Sequence, residues 1–218
     1  MPRRDLVLLD LDGTLTDSAP GIIACIRYAL DGLGLPSPDD AVLRTFLGPP
    51  LAVTFGQGLG LPPDLVDAAI AKYRERYHDV GLFENAVYPG VEHLLGVLGG
   101  QATLAVATSK PTYSATLILE HFDLAGRFAF IGGADLAGER HDKAAVIAHT
   151  LEELACRGIT APVERTVMVG DREHDVLGAA RHGIDAVGVL WGYGSADELT
   201  AAGAVALADT PADLPPLL

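Results

Sequence analysis

Cysteine, positive charge and long apolar runs are all scarce in this chain, and each scarcity excludes a class of protein. Only Cys25 and Cys156 occur, far apart and without CxxC or Cys/His spacing. That argues against a disulfide framework and a zinc site, and predicts two buried, reduced thiols. No stretch approaches the ~18 consecutive apolar residues of a membrane span. The opening Met1-Pro2-Arg3-Arg4 has the basic character of a targeting segment, but the apolar run behind it, Leu6 to Leu9, is too short for one, so a cytoplasmic protein is expected. Lys and Arg number 15 against 29 Asp and Glu, a formal net charge of -14. Such a balance argues against nucleic acid or an anionic membrane as a partner. A small anionic substrate would then need a local cationic patch or a metal. No GxxxxGK phosphate loop occurs either, which disfavours a conventional ATP site.

What is present is core-forming material: 49% of the 218 residues are hydrophobic, enough for one or two domains. Short apolar runs recur at Leu6 to Leu9, Thr103 to Ala107, Phe128 to Ile131, Thr166 to Val169 and Ala186 to Leu190, with Ala204 to Ala208 as a sixth, edge candidate. Helical patterns separate most of them; from about Lys143 to Leu154, Ile147, Leu151 and Leu154 share a face that Glu152 and Glu153 avoid. This alternation predicts an α/β fold, a Rossmann-like doubly wound parallel sheet covered on both faces. From Asp17 to Asn85 the alternation stops. Only helical patterns occur there, broken at Gly34-Leu35-Pro36, Gly48-Pro49-Pro50 and Gly60-Leu61-Pro62-Pro63. Asp17 or Ser18 supplies the first N-cap, Pro20 lies in the first turn, and Ile22, Ile23, Ile26 and Leu30 form the apolar stripe. The expected organisation is an α/β core of residues 1–16 and 86–218 with an all-helical insert at 17–85. Such an insert would hang outside the carboxyl ends of the strands, where ligands bind, and could act as a lid.

Charged and hydroxyl residues concentrate at those strand ends. Asp10 and Asp12, spaced i, i+2 in DLDGTLTDS, project to one side if the extended backbone persists, and Gly13 then permits a sharp turn. Downstream, Thr166 to Val169 runs into GDREHD, with Asp171 at the strand end and Asp175 on the same face if a helix begins there. Carboxylates within ~4 Å repel by roughly 1 to 4 kcal/mol per pair. A hard divalent cation removes that penalty, and all-oxygen ligation suits Mg2+. For Asp175 two readings stay open, a direct ligand or outer support at a helix N-terminus. Thr108, Ser109 and Lys110 close another strand, and Lys143 heads a helix. Hydroxyl, N–H and ammonium groups are what phosphoryl oxygens require. A lysine in a first helical turn opposes the helix dipole, which favours Lys143 over Lys110 as the phosphate-binding cation.

In this order, the motifs resemble the haloacid dehalogenase superfamily of phosphohydrolases. Asp10-Leu11-Asp12-Gly13-Thr14 is similar to its first motif, Thr108 to its second, Lys143 to its third, and Gly170-Asp171 with Asp175 to its fourth. The helical insert resembles its C1-type cap. Within the superfamily, ENAVYPGVEHLL, ATSKP, MVGDREHDVLGAARHGI and GVLWGYGS resemble the phosphoglycolate phosphatase and 5'-nucleotidase-like branch.

The resemblance implies that Asp10 attacks phosphorus to form an aspartyl-phosphate and that Asp12 serves as acid and then base. It implies Mg2+ held by the Asp10 carboxylate, the Asp12 carbonyl and Asp171. Thr108 and Lys143 would hold the phosphoryl oxygens, helped by the N–H groups of Leu11, Asp12 and Ser109. Arg44 and the Gly48 region of the insert would help select the leaving group. The expectation is a Mg2+-dependent phosphomonoesterase for a small phosphorylated metabolite. The alternatives are a phosphotransferase, either a sugar-phosphate mutase or a tyrosine-kinase-like relative, and a receiver-like domain that carries phosphoaspartate without turnover. Two positions depart from the family pattern. Arg172 stands where a small hydroxyl residue is common, and is expected to pair with Asp175 or Glu173 or to reach substrate. Lys143 lacks the usual following proline, which keeps Lys110 as its rival. Tyr73 and Tyr77, at i, i+4, read as packing, and Arg74 and Arg76 as solvated. The seven histidines, among them His141 and His174, show no ligand spacing. Trp191 to Gly194, WGYG, reads either as a border of the site or as a flexible turn with one anchoring aromatic.

Overall fold

The structure, a computed structural model, describes residues 4–49, 51–135, 140 and 142–218, so Met1, Pro2, Arg3, Pro50 and His141 lie outside the described residues. Strand β1 (Leu6–Leu9) is buried along its whole length, as a strand paired on both sides and covered on both faces must be. The chain then enters helices α1 (Ala19–Gly32), α2 (Asp40–Arg44) and α3 (Pro63–Arg76), with π-helical turns at Thr54–Gly58 and Tyr77–Gly81. It continues through α4 (Val91–Gly99), β2 (Thr103–Pro111), α5 (Thr112–His121), β3 (Phe130–Ala134), α6 (Lys143–Cys156), β4 (Thr166–Gly170), α7 (Glu173–Ala180), β5 (Asp185–Val189), α8 (Ala196–Ala202) and β6 (Ala206–Ala208).

Among the described residues these six strands form one parallel sheet in the order β3-β2-β1-β4-β5-β6. This is the doubly wound arrangement, with its switch point beside the central strand and β6 at the edge. Leu9 is in register with Val106 on one side and Val169 on the other. Asp10, Thr108 and Asp171 therefore leave the sheet at one edge. On one face Leu6, Leu8, Ala105, Ala107, Met168 and Ala186 pack with Val146, Ile147 and Leu154 of α6, Val176 and Ala179 of α7, and Leu199 of α8.

Strand β3 departs from the expected Phe128 to Ile131 and runs instead from Phe130 to Ala134. The N–H of Phe128 is used in the preceding 3-10 turn, bonding the Ala125 carbonyl, so the residue is not free to start a ladder. Gly132 continues the strand because α6 packs tightly over it: a Cβ there would lie 2.0 Å from the Thr150 hydroxyl. Cys156, expected buried, is exposed at the end of α6, off the face that Ile147 and Leu154 bury, whereas Cys25 is buried.

The chain divides into two compact units, residues 1–16 with 87–218 and residues 17–86. The second is helical. At its start Ser18 is the N-cap residue of α1, without a side-chain cap bond, while the Asp17 carboxylate accepts the Ala19 N–H at 3.1 Å. Tyr73 and Tyr77 stack with ring centroids 5.2 Å apart, as the i, i+4 spacing suggests. Arg76 is not solvated as expected: its guanidinium grips the Glu84 carboxylate at 2.5 and 2.8 Å, a fork geometry that the turn after α3 makes possible.

Leu8 sits fully buried in the central strand, where no neighbour can collapse into a void. Leu8→Ala should lower the unfolding free energy by about 2–5 kcal/mol in urea denaturation, and a loss below about 1 kcal/mol would contradict the central placement.

Candidate active site

The site is built at the carboxyl edge of the sheet from residues of the α/β unit. Asp10 extends the β1 ladder by one bond, its N–H donating to the Val169 carbonyl at 2.9 Å, and this brings its side chain beside the residues that follow β4. Helix α6 starts at Lys143, capped by Asp142, whose carboxylate accepts the Ala145 N–H at 2.8 Å. The Lys143 ammonium is buried and reaches three oxygens: Asp10 Oδ1 at 2.9 Å, Asp175 Oδ1 at 2.6 Å and the carbonyl of Ala107, within β2, at 3.0 Å. Two carboxylates thus compensate the unfavourable place of a cation at a helix start. Asp175 lies in the first turn of α7, its second oxygen accepting the Arg172 N–H at 3.1 Å.

Asp171 is completely buried, accepting bonds from the Thr14 hydroxyl at 3.3 Å and the Tyr193 N–H at 2.8 Å. Its approach to the loop after β1 depends on Gly13, which adopts φ +86° and would place a Cβ 2.2 Å from Asp171 Oδ2. The same loop is wound tightly: the Leu11 carbonyl accepts the N–H groups of Leu15 and Thr16 at 2.9 and 3.0 Å, and the Leu11 side chain is buried.

Asp10, Asp171 and Asp175 each present an oxygen within 4.8 Å of the others. Burial pushes the Asp10 carboxyl above the usual range, and the charge on Asp175 adds to that, while Lys143 and the Leu11 N–H pull against it. Asp171 is raised well above the usual range by burial first and then by Asp175 and Asp10. Burial disfavours the Lys143 ammonium, yet Asp10 and Asp175 more than offset this and raise its pKa. Three buried carboxylates thus face one buried ammonium. If all are ionised, two negative charges remain uncompensated, and the donors are all oxygen. This set fits a hard divalent cation in both charge and chemistry.

The other residues singled out in the sequence are placed as follows. Asp12 pairs with Lys110, Nζ to Oδ2 at 2.7 Å. Thr108 is buried with its hydroxyl accepting the Lys110 N–H at 3.2 Å, and Ser109 is exposed, because the register of β2 against β3 shifts between Thr108 and Pro111 and re-aims these side chains. Arg44 and Gly48 belong to the helical unit, where Arg44 lines a groove of about 490 Å³ with Arg27, Tyr28, Asp40 and Arg76. Arg172 bonds Glu198 through Nε at 2.8 Å, a partner its sequence neighbourhood did not offer. Of the two readings of WGYG, a border of the site or a flexible turn, the contacts match the first: its Tyr193 N–H bonds Asp171, and the Trp191 indole N–H donates to the Thr14 carbonyl at 2.9 Å. The available signal was two glycines around an aromatic directly after a strand end.

A central strand ending in a buried acid, with a lysine-bridged acidic cluster beside it at the switch point, defines an α/β enzyme of the Rossmann-like class. The family model described as haloacid dehalogenase-like hydrolase matches residues 7–189, and the chain belongs to that family. It is 44% identical over 196 residues to a 5'-nucleotidase of Pseudomonas aeruginosa, covering 89% of this chain and 86% of that protein. It is 34% identical over 198 residues to a phosphoglycolate phosphatase of Xanthomonas campestris, covering 88% and 86%. It is also 46% identical over 195 residues to the tyrosine-protein kinase PtkA of Mycobacterium tuberculosis, covering 88% of this chain but 64% of that protein. The solved PtkA structure superimposes with a TM-score of 0.86 at 41% identity, over 100% of this chain and 99% of that one.

The charge excess makes two opposite substitutions informative. In metal-free protein Asp171→Asn should raise the unfolding free energy by on the order of 1 kcal/mol by removing repulsion, and, if the cluster takes a divalent cation, Mg2+ should stabilise the wild type and not the variant. Lys143→Met should instead cost about 3–5 kcal/mol, because it strands the carboxylates. Thermal denaturation with EDTA and with Mg2+ checks both.

Proposed function

We propose that the protein is a Mg2+-dependent phosphatase that hydrolyses a small phosphomonoester through a phosphorylated Asp10. The observation that carries this reading is the buried Asp10 carboxylate, held 2.9 Å from Lys143 and clustered with Asp171 and Asp175. The carboxylates of Asp10 and Asp171 and the carbonyl of Asp12 would hold Mg2+, with Asp175 committed to orienting Lys143. When bound, the ion would screen the negative charge of nucleophile and phosphate from each other.

An Asp10 oxygen attacks phosphorus, the bond from phosphorus to the leaving oxygen breaks, and Asp12 supplies the proton that turns the leaving alkoxide into an alcohol. A water then gives a proton back to Asp12 and attacks the same phosphorus. The bond from phosphorus to Asp10 breaks, inorganic phosphate leaves, and the Asp10 carboxylate is restored. In the free protein Lys110 holds the Asp12 carboxylate. An entering phosphoryl dianion offers that ammonium a stronger partner and leaves Asp12 able to carry a proton. Lys143 and the Thr108 hydroxyl hold the phosphoryl oxygens, with help from the N–H groups of the Asp10–Asp12 loop and Ser109. We assign the helical unit the role of a cap that selects the leaving group, with Arg44 and the Gly48 region as its contributors. The names of the relatives support two substrate classes, nucleoside monophosphates and phosphoglycolate.

Similarity to PtkA supports a second reading, in which the phosphoryl group passes to a protein hydroxyl instead of water. A colorimetric phosphate-release screen over phosphomonoesters, with Mg2+ and with EDTA, separates the two when run beside transfer from labelled ATP. The expected result is Mg2+-dependent release of inorganic phosphate that falls at least about 10³-fold in Asp10→Asn. Labelled protein without phosphate release would overturn the hydrolase reading, and full activity of Asp10→Asn would remove Asp10 as the nucleophile.

A further inference from the structure

The turn that follows β5 touches the two chain segments that carry the acidic residues, and it does so at several points. The Trp191 indole N–H donates to the carbonyl of Thr14, in the loop after β1, at 2.9 Å. The Tyr193 N–H donates to Asp171 Oδ2 at 2.8 Å. Between them Gly192 packs so closely that a Cβ would lie 2.3 Å from the Gly13 carbonyl oxygen and 2.4 Å from Asp171 Cβ. A Cβ on Gly194 would lie 1.9 Å from the Asp171 carbonyl oxygen. Beyond the turn, Glu198 Oε1 accepts both the Arg172 Nε at 2.8 Å and the Glu173 N–H at 2.9 Å, which fixes the segment just after Asp171 to α8. The chain's single tryptophan thus spends its indole N–H on this contact.

We propose that Trp191–Gly194 is a positioning clamp that sets the spacing between the Asp10-bearing loop and Asp171, and through it the affinity of the site for a divalent cation. This rests on the reading above that Asp10 and Asp171 hold such a cation. The reasoning is geometric. Asp171 directly follows β4, where a carboxylate can rotate unless its oxygens are held. A backbone N–H on one oxygen and a close-packed glycine against its Cβ hold it in one orientation, while the indole bond prevents the facing loop from drifting away. Groups that orient a metal ligand without touching the metal commonly change affinity by 10–100-fold when removed.

The test uses Mn2+ as probe, added to the full-length, substrate-free protein and followed by loss of the free ion's electron paramagnetic resonance signal, with melting measured by circular dichroism on the same samples. Trp191→Phe keeps the ring and deletes the N–H; it should bind Mn2+ about 10-fold more weakly while its metal-free melting temperature stays within a few degrees of wild type. Gly192→Ala should bind at least as weakly. A merely structural role would move the melting temperature and leave the affinity of the folded fraction unchanged. Wild-type affinity in both variants, with Mn2+ bound normally by wild type, overturns the clamp alone. Failure of the wild type itself to bind Mn2+ overturns the clamp together with the metal reading beneath it.

Discussion

The ion pairs that Lys143 makes with Asp10 and Asp175, inside the protein and away from water, impose conditions on everything around them. Burying an ammonium is tolerable only if anionic or carbonyl oxygens surround it, and here they arrive from three directions: the end of β1, the middle of β2 and the first turn of α7. No single segment could supply them. The sheet order, which places β1 between β2 and β4, delivers two of these oxygens in register, and the short connection from β4 into α7 delivers the third. The fold is thus the means by which residues far apart in the chain become partners of one amino group.

The same cluster explains why the site is chemically poised instead of merely stable. One ammonium balances one of three buried carboxylates, so the arrangement carries a repulsion that a well-packed apolar substitute would lack. The raised pKa of Asp171 expresses that repulsion, since burial and the neighbouring carboxylates all favour its neutral form. That repulsion is what a cation, on the proposed reading, would relieve. Tight glycine contacts maintain the arrangement. Gly13 lets the loop after β1 close on Asp171, and any side chain there would separate the two acidic segments.

Legibility in the sequence followed the range of the contact. The parallel sheet could be read from runs such as Leu6 to Leu9 and Thr166 to Val169, because a buried strand must be continuously apolar. That acidic groups would meet at the strand ends followed from the same runs, since parallel strands share one carboxyl edge. Partners separated by long stretches of chain could not be read. Arg172 offered Glu173 and Asp175 as neighbours in sequence, yet bonds Glu198, which only the packing of α8 on α7 brings near. Asp12 follows Asp10 at i, i+2, and its carboxylate pairs with Lys110 of β2, a partner that spacing within DLDGTLTDS does not disclose. WGYG has the composition of a loose turn. Its role depends on what lies opposite, Gly13 and Thr14, and composition carries no information about that.

On the proposed mechanism, ionisation of Asp10 and occupancy of the cluster would form one coupled equilibrium. Asp10 would attack phosphorus only as a carboxylate, and burial together with Asp175 raises the free energy of that form, with Lys143 and the Leu11 N–H offsetting only part of it. A divalent charge among the same oxygens lowers the ionised state of Asp10 and of Asp171 together, because each feels the other through a poorly screened interior. Binding a cation and releasing protons are then linked in both directions. The geometry that fixes the carboxylate spacing would therefore set the charge state of Asp10 as well as the affinity for an ion. On the proposed mechanism, a backbone turn more than a hundred residues from Asp10 in sequence would then bear on the reactivity of Asp10.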